Sequence, residues 1–436
     1  MILIYCPISS VRLHYTVKQL FGLLPGSIYE ITDNKDAFLA ANVAQINYSK
    51  ETFEGVINIM PSNLLGQTTI VPQSPTVGHW EDAPTLFANN GGTLPFDIFS
   101  AVFFLLSRYE EYTDTKRDQH GRYTAQQSLA YNNSFLHLPL INIWADKLRV
   151  LLNNTFSLEL KKLPYTYTST IDIDQIFYYR YKPLARQILG GLRQLYRGEW
   201  ASFWQRKLTL LGIQNDPNDV FDWLHTLHQK HNTKTLFFFL MGDTAPPYDP
   251  APVFYKKAAS TIIQHTSTHY LTGIHPSYHS FNNETILLKE KNRLEVLTKT
   301  QIQHSRQHFL RFSLPQTYRA LINCGITHEY SMGYADVVGY RASIAAPFAW
   351  FDLEKNEETA LTIYPFAVMD VTLKNYMKLS PNEAMETIKK LNLPVQKHGG
   401  NFMSLWHNES LSEAGNWKNW REVYQLLLTF SPENGD

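Results

Sequence analysis

Tyr165-Thr166-Tyr167-Thr168-Ser169-Thr170-Ile171-Asp172-Ile173-Asp174 is the stretch on which the reading of this chain turns. Side chains alternate across a β-strand with a period of two. Thr166, Thr168, Thr170, Asp172 and Asp174 therefore share one face, while Tyr165, Tyr167, Ile171 and Ile173 share the other. A strand with a polar inward face fits a barrel. It ends on two carboxylates spaced i, i+2, which point the same way and lie about 6 to 7 Å apart along the strand. One of them can bind a metal while the other accepts a proton from the attacking water. The competing reading is an Asp pair that merely caps a loop or helix.

Working outward, helix and strand alternate. Asp216-Pro217 reads as an N-cap with proline at N1, opening a helix toward Lys230 that is followed by a buried strand over 236–240. A second unit runs from a helix near 251–264 to a strand at 270–274, and a third from a helix near 285–297 into residues 307–313. This is the rhythm of a β/α barrel. Upstream, an apolar strand at 1–6, a β-like run at 55–59 and an apolar helix over 96–112 make a mixed α/β module. The charged, turn-rich residues 114–123 read as an exposed loop. The expected architecture is a distorted (β/α) TIM-like barrel over residues 161–436, preceded by a smaller mixed α/β domain over 1–160.

Composition bounds the function. The chain has 436 residues, 44% hydrophobic and 18% charged, which excludes a disordered or merely solvating segment. Lysine plus arginine equals aspartate plus glutamate at 39 each, so net charge gives no attraction to nucleic acid or anionic lipid, and an anionic ligand needs a local patch. Cys6 and Cys324 are too few and too far apart for a disulfide framework or a thiolate metal cluster. No uncharged run approaches the roughly 20 apolar residues of a membrane span. A basic leader followed by an apolar core is missing at Met1, so the expected location is cytoplasmic.

His275-Pro276-Ser277-Tyr278-His279 gives the carboxylate pair a partner. Proline at the second position suits the start of a short helix, in which imidazoles four residues apart converge on one cation. Two imidazoles and one carboxylate are a typical set for a catalytic zinc with an open position. His265 and His269 have the same spacing, but they span a helix end, whereas the 275/279 pair follows a strand.

With these residues in view, the chain resembles the NodB-homology polysaccharide deacetylases over roughly residues 165 to 410. Thr170-Ile171-Asp172-Ile173-Asp174 looks like the first motif, which implies Asp172 as the base and Asp174 as a metal ligand, with His275 and His279 completing the metal site as the second motif. Arg306-Gln307-His308-Phe309 resembles an Arg-Pro-Pro-Tyr motif, which implies that Arg306 orients the base and that the N–H near Phe309 meets the oxyanion. Leu405-Trp406-His407-Asn408 resembles the last motif, which implies Leu405 in the acetyl pocket and His407 as the general acid. Pro276 stands where a Ser or Thr braces the histidine motif, and Gln307-His308 replaces two prolines. The motif whose aspartate orients the acid is matched only loosely by Glu329-Tyr330-Ser331.

A bacterial subgroup common in Bacteroidota is more closely similar, on Tyr181-Lys182-Pro183, Arg186, Gly190-Gly191, Gly273 to Tyr278 and Ser331 to Ala335. Its members join such a barrel to a separate N-terminal α/β module. Arg341 is a candidate substrate anchor, with a surface salt bridge as the alternative. Trp406 and Trp350 are candidate sugar-stacking rings, with core packing as the alternative.

The resemblance implies a hydrolase that removes an acetyl group from an N-acetylated sugar with a divalent metal, zinc foremost, and a carbohydrate as its partner. Two other readings keep the same barrel. One is a catalytically inactive carbohydrate-binding or assembly protein; the other is a hydrolase of a different carbon–nitrogen amide.

Overall fold

The computed structural model describes residues 1–250 and 252–432. Its larger sheet has nine strands. In spatial order they are Phe348–Asp352, Glu357–Ile363, His328–Glu329, His304–Ser305, Leu271–His275, Lys234–Leu240, Tyr165–Ile173, Gly400–His407 and Val368–Met369. Every neighbouring pair is parallel except the first, so helices must return the chain between strands. The strand Lys234–Leu240 is buried along most of its length, as a parallel strand covered on both faces requires.

This sheet gives the expected mixed α/β architecture, but among the described residues it does not close into a ring. Ile363 pairs with Glu329 at one side, and five residues later Val368 pairs with Ser404 at the other. The stretch between them carries isolated backbone bonds and no ladder pair: Tyr364 N–H to Glu329 at 2.8 Å, Phe366 N–H to Met332 at 3.2 Å, Ala367 N–H to Met403 at 3.0 Å and Gly339 N–H to the Ala367 carbonyl at 2.8 Å. One short segment thus serves both rims. The ladder stays open there, although the sheet curls until its two sides are a few residues apart.

A second, four-stranded parallel sheet has the order Tyr29–Thr32, Ile2–Tyr5, Ala44–Tyr48, Ile57–Ile59. Helix Val11–Phe21 carries it onto the larger sheet, where Tyr15 Oη donates to the Ala349 carbonyl at 2.7 Å and Arg12 Nε donates to Asn356 Oδ1 at 2.8 Å. One apolar cluster runs from Ile2 to Leu428, with all nine residues of helix Ile98–Leu106 buried. Each such Leu, Ile or Phe contributes roughly 1.5–3 kcal/mol on burial.

Several local expectations change. The helix expected over 96–112 breaks at Arg108, whose φ of 53° is left-handed, and resumes as Tyr109–Thr113. Asp216 is not an N-cap: the helix begins later, as Phe221–Lys230, and Asp216 instead accepts N–H bonds from Tyr178, Tyr179 and Arg180 at 2.6, 2.9 and 2.9 Å. The helix expected from 251 is seen as Lys257–His269; Ala251 itself lies outside the described residues. The strand expected at 307–313 is only His304–Ser305, because Phe309 and Leu310 take left-handed φ of 60° and 52° and turn the chain. Residues 114–123 are not a free loop, since His120, Arg122 and Tyr123 are buried.

Candidate active site

Parallel strands all present their C-terminal ends to the same rim, so side chains just past those ends meet without any local sequence relation. Here Asp172 is the penultimate residue of Tyr165–Ile173 and Asp174 follows that strand. His275 ends Leu271–His275, Arg306 follows His304–Ser305, Asp370 follows Val368–Met369 and His407 ends Gly400–His407. Asp172, Asp174, His275, His308, Phe309, Leu405 and His407 line one cavity of about 210 Å³.

Asp174, His275 and His308 each offer a ligand atom, and these atoms lie within 4.8 Å of one another. His275 Nδ1 sits 2.6 Å from the Arg306 carbonyl. A carbonyl can only accept, so Nδ1 carries the proton and Nε2 presents a lone pair. That Nε2 lies 3.2 Å from Asp174 Oδ1, yet both are buried atoms without a hydrogen-bond partner. Two lone pairs facing each other in a buried cleft are repulsive unless a cation lies between them. His308 repeats the pattern: Nδ1 donates to Asp249 Oδ1 at 2.9 Å, and Nε2 lies 3.5 Å from Asp174 Oδ2. The three residues fit a divalent cation, and the imidazole–carbonyl and imidazole–carboxylate contacts are the supports such ligands need.

Electrostatics agree with this. Burial would push the His308 imidazolium down, but Asp174 and then Asp249 lift it to about 9. Burial raises the Asp174 carboxyl, and the charge of His308 with the contact to His275 more than reverses it, leaving it well below the usual range. A proton on His308 thus takes the place of the positive charge that the carboxylates require.

His279 is not among the converging ligands. It lies exposed on the 3₁₀ turn Tyr278–Ser280, beside the Tyr278 ring. Residues i and i+4 converge on an α-helix; at three residues per turn the fourth residue swings away from the first. Ser277, whose N–H and Oγ both donate to Glu290 at 2.9 and 2.5 Å, pins the turn in that form.

On one side of the cluster Asp172 accepts from Arg306 Nη1 at 3.1 Å, and the same nitrogen donates to Thr170 Oγ1 at 2.6 Å. Arg306 Nε donates to the Tyr330 carbonyl at 3.0 Å, which fixes the fork. On the other side His407 Nδ1 bonds Asp370 Oδ1 at 2.8 Å, and its own N–H donates to Asp370 Oδ2 at 2.8 Å. Burial lowers the His407 imidazolium, but Asp370 and then Asp174 and Asp172 outweigh it and hold it well above its usual value. Asp370, missed in the sequence, orients His407; Glu329 instead accepts from the Ser331 N–H and Oγ.

Leu405 and Phe309 line the cavity, but Trp406 and Arg341 do not. Trp406 is fully buried against Tyr424, because alternation along Gly400–His407 sends residues 405 and 407 to the cleft and 406 to the helix layer. Trp350 is buried as well. Arg341 is neither a surface nor a cleft residue. Its Nε and Nη2 grip Glu111 at 3.0 and 2.6 Å, and Arg108 Nε holds the same carboxylate at 2.8 Å. An unexpected arrival is Arg122, which lines the cleft, with Nε on Asp118 at 2.7 Å and Nη1 donating to the Phe309 carbonyl at 3.0 Å.

Residues 2–157 match a family model described as a family of unknown function (DUF7033). Among curated proteins none matches. Among solved structures, a Mycobacterium smegmatis protein assigned as a polysaccharide deacetylase is 13% identical, with 62% of this chain and 89% of that one covered and a TM-score of 0.38. The carbohydrate deacetylase Agd3 is 9% identical, with 67% and 54% covered and a TM-score of 0.37. A CE4 family pseudoenzyme from Bacillus anthracis is 9% identical, with 61% and 62% covered and a TM-score of 0.30. At these scores the functional reading rests on the site itself.

Proposed function

We propose that this protein is a metal-dependent deacetylase acting on an N-acetylated sugar or glycan precursor. The observation that carries the reading is the convergence of lone pairs from Asp174, His275 and His308 between a braced carboxylate and a braced, protonated imidazole. Asp174, His275 and His308 would hold a divalent ion, zinc foremost, which when bound polarises an amide carbonyl and acidifies water.

The chain's own groups divide the proton traffic. Asp172 accepts the proton of the attacking water, and Arg306 keeps that carboxylate aimed. His407, charged at neutral pH through Asp370, delivers a proton to the departing amine nitrogen so that the carbon–nitrogen bond can break. The Phe309 N–H donates to the developing oxyanion. Leu405 and Met369, both lining the cavity, enclose the acetyl methyl.

The test is acetate release from N-acetylated sugars by the metal-loaded protein and by Asp172→Asn. Release that depends on Asp172 supports the reading. Stoichiometric metal with no release from any N-acetylated sugar sinks it in favour of a binding protein.

A further inference from the structure

The segment between Tyr178 and Ile213 is built inside out. Helices Leu184–Tyr196 and Trp200–Leu210 form a hairpin whose contact face is polar: Arg206 Nε donates to Gln194 Oε1 at 2.8 Å and Arg206 Nη1 to Gln187 Oε1 at 2.9 Å. Gly190 permits this approach, since a Cβ there would lie 2.7 Å from Arg206 Nη2. The apolar side chains point the other way. Leu184 is 75% exposed, Leu189 66% and Tyr196 92%, and Ile188, Leu192, Trp200 and Trp204 are exposed as well.

At 3.6 residues per turn the apolar residues of the first helix occupy one arc of about 140°. Arg193, Arg186 and Arg197 lie together along one edge of that arc, and Gln187, Gly191 and Gln194 form the packed side. Between residues 178 and 213 seven lysines and arginines stand against the single carboxylate Glu199. A chain with balanced charge thus concentrates positive charge where it also exposes leucines, tyrosines and tryptophans. The three Asp216 bonds pin the base of the hairpin. Lys182 and Arg186 line a cavity with Gln175 and Asp249, so the base adjoins the candidate site.

From this we infer that the hairpin docks on the surface of an anionic lipid bilayer. Leucine and isoleucine side chains on one face of the first helix, with arginines at its border and the exposed indoles of Trp200 and Trp204 on the second helix, fit the boundary between acyl chains and anionic headgroups. Among the described residues no helix is long and apolar enough to cross a membrane, so the hairpin lies on the surface. Self-pairing through this face would bring two strongly positive hairpins together, which charge opposes. The inference is independent of the chemistry proposed for the cleft.

The experiment is co-sedimentation of the full chain with vesicles of phosphatidylcholine alone or mixed with phosphatidylglycerol. Wild type is compared with Leu189→Asp, with Arg193→Gln/Arg197→Gln, and with Leu288→Asp as an exposed control on another helix. All are checked for unchanged thermal melting. Binding is expected to the mixed vesicles, to weaken with salt, to fall about 30-fold in the double arginine variant, and to persist in the control. Absence of binding to either vesicle, or equal binding by the hairpin variants, overturns the inference. A dimer in the absence of lipid that Leu189→Asp dissolves, without vesicle binding, overturns it in favour of a second copy of the chain.

Discussion

Asp249 holds His308: the carboxylate oxygen Oδ1 accepts from His308 Nδ1 at 2.9 Å and from the Tyr278 N–H at 3.0 Å. This single atom ties the imidazole that replaces a proline in the family-like motif to the turn that follows His275. It fixes which nitrogen of His308 faces Asp174. Asp249→Ala is therefore expected to weaken divalent-metal affinity by about 10- to 100-fold while leaving the fold intact, measured by competitive chelator titration. Unchanged affinity would mean that His308 needs no such support.

Arg306 and Asp172 act as a unit. Arg306→Ala is expected to lower kcat by about 100-fold or more with little change in KM, because Asp172 would lose the contact that orients it toward the attacking water. A change confined to KM, measured in steady-state kinetics, would place Arg306 in substrate binding instead.

The pH profile reports on His407. Its imidazolium is held well above its ordinary 6.5 by Asp370, so the protonated, active form persists above neutrality and is lost only on the alkaline limb. Asp370→Asn removes the principal charge that raises it. The alkaline limb of kcat should then move to lower pH, and an unmoved limb would assign that limb to another group.

Arg341 and Glu111 concern stability. Burial alone would raise the Glu111 carboxyl, but Arg341 and Arg108 bring it down to about 2 from its ordinary 4.5. Its contribution is complete above pH ~4.5 and is lost as pH falls toward 2, since the unfolded chain binds the proton first. Arg341→Ala leaves the partner carboxylate buried with half its compensation. It is expected to cost about 3–5 kcal/mol in denaturant unfolding without altering the specific activity of the folded fraction.

Strand periodicity made part of this site visible in the sequence: Asp172 and Asp174 share a face by alternation, and His275 ends a strand that patterning marks out. Arg306 and His407 were legible only through the resemblance to family motifs, since the strands that carry them, His304–Ser305 and Gly400–His407, were not read from the pattern. His308 was visible only as a departure from a motif, because its ligand geometry depends on Asp249, 59 positions earlier in a proline-rich loop. Asp370 follows an apolar run as an ordinary strand-end acid, and only the parallel pairing of Met369 with Leu405 brings it beside His407. The α-helix assumed after His275 proved to be one 3₁₀ turn, which removed His279. Arg341 could not be read from pattern at all, since a buried arginine and an exposed one look alike until Glu111 arrives from 230 positions away.

Metal content of the purified protein, compared among wild type, His308→Ala and His279→Ala after loading and gel filtration, decides whether Asp174, His275 and His308 are the ligands of a divalent ion. Wild type and His279→Ala are expected to retain a stoichiometric divalent ion, and His308→Ala to lose it. Retention of the ion by His308→Ala, or its loss in His279→Ala, would contradict that assignment.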